Sequence, residues 1–376
     1  EALKHHYAPQ MSILFSSMLS IYQHYSGFVA QAIKDKGPVA ARHFEVKLMM
    51  GVKKSALKLL KVFFDTSLEP DFLYETVVPD LLDPVLGDFT MCEVPAAREA
   101  AVLSLFETIV KKLQHRILGE LPRIMGALFS RTLEMITANF QDFPDHRINF
   151  FKMIEAITTY CFDVYARIEL SQLQIVINSI VWAFKHTEHN IMETGLNALK
   201  LMIDRVPGSS LEGIFYVNFL DQLIEDIYTV MTDTLHKPGF RLQSDILLSL
   251  CRNITSGKVV QPIFNTSAPE NATFNNSTYL HHFLVQLLGD AFGSSLSPDD
   301  VKRYVQGLLD IRKNDKETRE LMRDFLIEIK EFKDADNSAL FSEERDELVA
   351  SQMREREAAL NSVPGLRPQL ATLGDE

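Results

Sequence analysis

The sequence predicts an all-α protein built as a repeating array of helices. Apolar residues recur at the i, i+3, i+4 spacing of a helix face through almost the whole chain. No comparable run alternates with a period of two, and no Asn-Gly or Asp-Gly turn separates β-branched runs, which argues against a sheet. The third observation is a short motif that returns at nearly regular intervals along the chain.

The individual helices are predicted from these apolar stripes and from helix-start residues. The stripes are clearest over residues 173–184 and 192–206. Ser297 and Pro298 mark one helix start, because serine caps a helix and proline fits its first turn. Other prolines mark further boundaries, since proline disrupts a helix interior. In chain order, the predicted helices are residues 8–35, 39–65, 70–86, 95–116, 120–140, 144–166, 170–187, 189–206, 210–233, 238–256, 277–292, 298–312, 315–332 and 343–361.

The recurring motif is a proline followed three residues later by an arginine, at a helix start. It occurs at Pro95, Pro144 and Pro238, and the intervals of 49 and 94 residues place a member without proline near residue 191. A helix pair that repeats every ~40–47 residues is typical of HEAT and armadillo arrays. We therefore predict a HEAT-repeat α-solenoid, in which antiparallel helix pairs stack in a superhelix and the motif helices form the inner row.

Composition and motif content narrow the class of function. The 376-residue chain carries a formal net charge of −12, which argues against DNA or RNA binding. No stretch reaches about 18 consecutive apolar residues, so we predict no membrane span. Cys92, Cys161 and Cys251 lie far apart in sequence, which predicts buried free thiols in a reducing compartment. Phosphate-loop, dinucleotide, zinc-protease and serine-hydrolase motifs are absent, so we predict no enzymatic activity, no catalytic or metal-binding residue and no cofactor.

Two regions depart from the helical pattern. Residues 257–277 are rich in Asn, Ser and Thr, which predicts a loop insertion that is either disordered or a surface excursion. After Lys333 the composition turns polar and charged. We predict HEAT repeats over residues 1–333, about six to seven helix pairs. A charged helix with a thin apolar face is expected over 334–363, and a disordered tail over 364–376.

Specific strings along the chain resemble sequences of a known family. The strings are residues 94–99 (VPAARE), 144–147 (PDHR), 149–151 (NFF), 180–187 (IVWAFKHT), 321–332 (LMRDFLIEIKEF), 340–345 (LFSEER) and 362–365 (SVPG). In order and spacing they are similar to the C-terminal third of exportins, members of the importin-β/karyopherin superfamily. The resemblance runs from about Asp80 to Pro364, is weaker over the first 70 residues, and makes us expect a piece of a longer protein.

The resemblance implies the C-terminal part of a nuclear export receptor that shuttles between nucleus and cytoplasm through the nuclear pore. Such receptors are HEAT superhelices that bind Ran in its GTP form, cargo with leucine-rich export signals, and FG nucleoporins. It implies that these repeats help to enclose Ran, while cargo binds repeats outside this chain. The alternative is a HEAT-repeat scaffold, or another karyopherin without export-signal specificity.

The resemblance also implies a regulatory C-terminal helix that disfavours cargo binding when Ran is absent. The candidate contact residues of this helix are Leu340, Phe341, Glu343, Glu344, Arg345 and Asp346. A charged, sparsely packed helix can dock or leave for a small free-energy difference, and Ran can bias that equilibrium by binding one state better. Only Asp375 and Glu376 are acidic in the tail, so we expect no strong electrostatic effect from it.

Overall fold

A computed structural model describes residues 8–139, 141–267, 273–329, 336–341, 345, 349 and 351–354. Within these ranges the regular secondary structure is helical throughout, and they contain no strand. None of the helices in the described ranges is both long and apolar enough to cross a membrane.

The α-helices follow one another with short connections. In order they are α1 (Ala8–Lys36), α2 (Phe44–Thr66), α3 (Pro70–Phe72), α4 (Val78–Met91), α5 (Ala101–Leu113), α6 (Leu121–Ala138), α7 (Pro144–Tyr160), α8 (Leu170–Phe184), α9 (His189–Arg205), α10 (Glu212–Met231), α11 (Phe240–Thr255), α12 (Asn276–Phe292), α13 (Pro298–Leu308) and α14 (Asp315–Glu328). A π-helical turn, Leu73–Val77, joins α3 to α4. Short 3-10 helices occupy Pro38–Arg42, Pro95–Ala97, Gln114–Gly119, Phe162–Ala166, Thr234–Gly239 and Ser338–Phe341.

The chain divides into two compact units, and the first shows the repeat most clearly. This unit comprises Glu1–Leu223 and Asn253–Asn276. Consecutive helices pack as pairs: α1 with α2, α6 with α7, and α8 with α9. Helices of successive pairs also contact each other in two rows, α4–α6–α8 and α2–α5–α7–α9. The predicted all-α HEAT-repeat solenoid is thereby confirmed, and α5, α7 and α9 share one row as the motif spacing predicted.

The apolar pattern of α5 follows from its position between two neighbours in its row. It packs against α2 on one side and α7 on the other. A helix enclosed in this way needs apolar residues on more than one face. The apolar side chains that α5 buries are Val102, Leu103, Leu105, Phe106, Ile109, Val110 and Leu113.

The connection before α5 differs from the prediction and joins two repeats. A helix was predicted over 95–116, but Arg98 is extended after the 3-10 turn and α5 begins only at Ala101. Buried Arg98 donates from Nε to the Phe89 carbonyl at the end of α4, 3.2 Å away. Its own carbonyl accepts a hydrogen bond from His146 Nε2, 3.0 Å away at the start of α7. Burial lowers the pKa of His146 to about 4, so the imidazole is neutral and donates this bond.

The loop after α11 is held by two polar side chains. Glu212 Oε1 accepts from the amides of Val260 and Gln261 at 2.9 and 2.8 Å, and Oε2 accepts from the Gly208 amide at 2.6 Å. Asn276 accepts from the Ile263 amide at 3.2 Å and donates to the Gln261 carbonyl at 2.9 Å. Val259, Ile263 and Phe264 are buried. The described part of this loop is therefore an anchored surface segment.

The second unit comprises Ile224–Arg252 and Ser277–Glu376. Its aromatic core includes Tyr304, stacked on Phe325 of α14 at 3.9 Å between ring centroids. Tyr304 also shares a hydrogen bond of 3.1 Å with Tyr228 of α10. The predicted cap of α13 is confirmed, because Ser297 Oγ accepts from the Asp300 amide. Within the predicted helix over 343–361, residues 345, 349 and 351–354 are described and are helical, and its other residues lie outside the described residues.

Candidate functional site

The predicted site residues divide between described and undescribed parts of the chain. Leu340 and Phe341 lie in the 3-10 turn Ser338–Phe341, where Leu340 is 3% exposed and Phe341 is 38% exposed. Arg345 is described as exposed. The other three predicted residues, Glu343, Glu344 and Asp346, lie outside the described residues.

Residues 336–341 form what we call the anchored segment. The Ser338–Phe341 turn contacts the 3-10 turn Thr234–Gly239 of the same unit. Buried Lys237 donates from Nζ to the Asp336 carbonyl, 2.7 Å away. The segment is therefore fixed at its first residue by a charge-assisted hydrogen bond.

The far end of the anchored segment is held by a cation–π contact. The guanidinium carbon of Arg323, on α14, lies 4.2 Å from the centroid of the Phe341 ring. Between the two ends, the Asp336 carboxylate accepts from the Ser338 amide at 2.9 Å, and this bond lowers the pKa of Asp336. The Leu340 amide donates to the Asn337 carbonyl at 3.0 Å, which closes the turn and directs Leu340 inward.

The contacts that hold the anchored segment largely offset the entropy lost in ordering it. Burying the Leu340 side chain contributes about 1.5–3 kcal/mol, and the cation–π contact about 0.5–2 kcal/mol. The charge-assisted bond from Lys237 contributes about 1.5–3 kcal/mol. Ordering the backbone costs about 1–2 kcal/mol per residue over six residues, so gain and cost are of the same order.

The sequence named Leu340 and Phe341 as candidates but did not indicate the residues that contact them. Lys237 is 99 residues from Asp336 in sequence. Arg323 is one of two arginines on a helix with charged neighbours. Neither position carries a local pattern that distinguishes it from an ordinary surface cation, so no signal in the sequence could have identified this contact.

The described side chains offer little for covalent or metal chemistry. Within the described ranges, no group of three or more His, Cys, Asp or Glu residues is placed to hold a metal ion. Burial raises the pKa of Cys161 to about 11 and that of Cys251 to about 12. Cys92 is half-buried, and its pKa is also raised by burial. Thiols with raised pKa values are poor nucleophiles at neutral pH.

The two helix rows and their short loops define the class of protein as an α-solenoid, whose extended surfaces are used to bind other macromolecules. Comparison with known proteins identifies the particular family. The family model described as CRM1 C terminal matches residues 10–334. The chain belongs to this family, and the resemblance drawn from the sequence strings is confirmed.

Individual relatives agree with this assignment. The chain is 38% identical over 357 residues to Protein EXPORTIN 1B of Arabidopsis thaliana, covering 95% of this chain and 33% of that protein. It is 34% identical to Exportin-1 of Schizosaccharomyces pombe, covering 95% of this chain and 33% of that protein. Exportin-1 of Drosophila melanogaster is also 34% identical, with 97% of this chain and 34% of that protein covered. The chain therefore spans about a third of the length of the curated relatives it matches.

Proposed function

We propose that this chain is the C-terminal part of a nuclear export receptor and carries no enzymatic activity. The observation that carries the proposal is the family match over residues 10–334, together with relatives named exportin that align along 95% or more of the chain. The two-row helix array supports a binding role, because it offers side chains along an extended surface.

The finer assignment concerns partners. In this proposal the repeats of this chain help to enclose Ran in its GTP form. Cargo with a leucine-rich export signal binds to repeats outside this chain, and FG nucleoporins bind during passage through the nuclear pore. The receptor shuttles between nucleus and cytoplasm. The candidate inner surface is the row α2–α5–α7–α9, because it contains the helices α5, α7 and α9 that the motif spacing assigned to the inner row.

The proposal includes regulation by the C-terminal helix. The anchored segment directly precedes the charged residues that the sequence marks as docking candidates. Its contacts with Lys237 and Arg323 support a fixed starting point for that helix. A helix tethered at one end can exchange between docked and detached positions at little entropic cost, and Ran biases the exchange if it binds one state better.

The alternative is a HEAT-repeat scaffold, or a karyopherin without export-signal specificity. Both would show the same helix rows, so the fold does not separate them from an exportin. The family match favours the exportin, because the relatives that carry it are named exportin along nearly the whole chain.

Titration calorimetry with Ran tests the proposal. Ran loaded with a non-hydrolysable GTP analogue is titrated into three versions of the chain: the whole chain, one ending after Phe341, and one ending after Ile329. Ran with GDP is the matched control. We expect binding selective for the GTP form, strengthened when the residues after Phe341 are removed. Removing the anchored segment as well should add little.

The same titration is then made with the full receptor that contains this chain. GTP-selective binding there, without binding by the chain alone, would assign the main Ran contacts to other repeats. Absence of GTP-selective binding by the full receptor would overturn the export-receptor proposal. Equal binding by the whole chain and the version ending after Phe341 would overturn the regulatory role of the helix alone.

A further inference from the structure

A cavity of about 850 Å³ opens in the first unit between α1, α2 and α4. Its walls are mostly apolar and include Val29, Ile33, Pro84 and Val94. Val29 and Val94 also belong to the local hydrophobic core, so the walls are continuous with packed structure. Small-molecule sites typically have volumes of ~300–1,000 Å³ and mainly apolar walls with a few polar groups.

Two polar residues of the lining, Lys53 and Asp88, form a buried network with Tyr22. Lys53, on α2, is only 1% exposed, and its Nζ lies 2.9 Å from Asp88 Oδ2 and 3.1 Å from Oδ1. Tyr22 OH donates to Asp88 Oδ2 at 2.7 Å. The Lys53 ammonium also lies 5.6 Å from the Tyr22 ring centroid. A buried ammonium needs such partners, because leaving it unpaired in an apolar surrounding would be costly.

The Asp88 carboxylate has capacity for one more donor. An ionised carboxylate offers about four acceptor positions. Lys53 reaches both oxygens and Tyr22 reaches one, so three positions are used. Asp88 lines the cavity, and its side chain is 16% exposed. A ligand that carries an N–H or O–H group can therefore complete its coordination from the cavity.

Two glycines lie in the wall of the cavity. Gly27 of α1 and Gly87 of α4 both line it. A Cβ atom added at either would meet no described heavy atom within 4 Å beyond its chain neighbours and its own helix backbone. Glycine within a helix is destabilising relative to alanine, and here no close helix approach requires it. By contrast, a Cβ at Gly195 of α9 would lie 2.4 Å from the Phe184 nitrogen.

We propose that this cavity binds a neutral small organic molecule, whose apolar body fills the groove and whose N–H or O–H group donates to Asp88. Charge complementarity selects a neutral ligand, because Lys53 and Asp88 cancel and the two further charges of the lining, Lys34 and Glu93, are also of opposite sign. This site is separate from the anchored segment and does not depend on the proposed transport function.

The test uses indole as the probe and 1-methylindole as its matched control, which has the same rings without the N–H donor. Binding is followed by NMR of the methionine methyl groups, because Met91 lines the cavity and reports on it directly. We expect indole to shift the Met91 methyl signal. The control should bind about 10- to 100-fold more weakly, the equivalent of one hydrogen bond to a charged group.

Variants separate this cavity from other surfaces. Gly87→Leu and Gly27→Leu each add a side chain to the cavity wall, from α4 and α1 respectively, and each should reduce indole affinity at least about ten-fold. Gly51→Leu is the control, since Gly51 lies on exposed α2 surface with no described heavy atom within 4 Å of an added Cβ. Circular dichroism and thermal unfolding check that all three variants fold.

The outcomes decide the proposal. Loss of binding in both cavity variants, with binding kept in Gly51→Leu, supports the site. Unchanged indole binding in folded Gly87→Leu and Gly27→Leu overturns it, as does an unshifted Met91 signal at the solubility limit of indole. Equal affinity for indole and 1-methylindole overturns the role of Asp88 as the ligand acceptor.

Discussion

Replacing Glu212 with glutamine should release the Gly208 amide while leaving the fold intact. Glu212 is 3% exposed, and its carboxylate accepts three backbone hydrogen bonds. A glutamine of the same shape has one acceptor oxygen and one NH₂ group. The cheaper orientation keeps the oxygen on the Val260 and Gln261 amides and turns the NH₂ group toward Gly208, where two donors then face each other.

The magnitude follows from the bond that is lost. A hydrogen bond to a charged group contributes about 1.5–3 kcal/mol, so the Gly208 amide should exchange with solvent about 10- to 100-fold faster. The Val260 and Gln261 amides should accelerate less, because they keep a neutral acceptor. Hydrogen exchange followed by mass spectrometry is the appropriate assay, since it reports on single segments and does not require the two compact units to unfold together.

The control is Glu193→Gln on α9. Glu193 is exposed, and its ion-pair contact with His189 spans 3.8 Å, so exchange in its neighbourhood should stay unchanged. If Glu212→Gln left exchange at Gly208 as slow as in the unmodified chain, the carboxylate would not be what holds this connection. Faster exchange in all helices would instead point to general destabilisation.

Three further predictions follow from burial and packing. Gly195→Ala should destabilise the chain by about 1–3 kcal/mol in urea unfolding, because its Cβ would lie 2.4 Å from the Phe184 nitrogen, whereas Gly51→Ala should stabilise it by about 0.5–1 kcal/mol. Burial lowers the pKa of His146 from 6.5 to about 4, so the unfolded chain binds a proton at a higher pH than the folded chain does. As the pH falls through this interval, the folded chain should therefore lose up to about 3 kcal/mol of stability. His146→Asn should remove this loss in unfolding curves measured across the interval, and the same pH dependence in the variant would contradict the prediction. Leu340→Ala should destabilise the docked position of the anchored segment by about 2–5 kcal/mol and so detach it. Proteolysis within the segment should become faster, and an unchanged cleavage rate would contradict the anchoring role of Leu340.

The sequence predicted the helices well because their apolar stripes are local. Each helix buries one or more faces, and the spacing of its own residues reveals those faces. The predicted boundary failed where backbone geometry depends on a distant partner. Arg98 is extended because its side chain reaches the Phe89 carbonyl and its carbonyl serves His146 in the next repeat. Pro95 as a helix-start residue and the apolar stripe after it predicted a continuous helix from residue 95, because neither contains information about those two contacts.

The candidate site was predictable only in part, for a related reason. Leu340 and Phe341 stand out in sequence as apolar residues within a charged region. Their partners Lys237 and Arg323 look like ordinary surface cations, because a long charged side chain can cover an apolar group or remain in water with the same local pattern. The loop clamp by Glu212 was missed likewise, since a single acidic residue at a helix start is normally explained by the helix dipole.

The polar contacts between repeats show how the array fixes its register. His146 bonds a carbonyl 48 residues earlier, Asn149 one 49 residues earlier and Cys161 one 47 residues earlier. Glu212 binds amides 48 and 49 residues later. Loop backbone groups of one repeat are thus satisfied by side chains one period away.

Apolar stripes require only that helices pack, and a helix can slide along such a stripe at modest cost. A hydrogen bond to a particular carbonyl tolerates no such slide, because its loss leaves a buried polar group unpaired. The period found in the sequence is therefore the spacing at which side chains of one repeat form hydrogen bonds with backbone groups of its neighbour. A substitution at one of these positions should weaken one interface between repeats and leave the next intact.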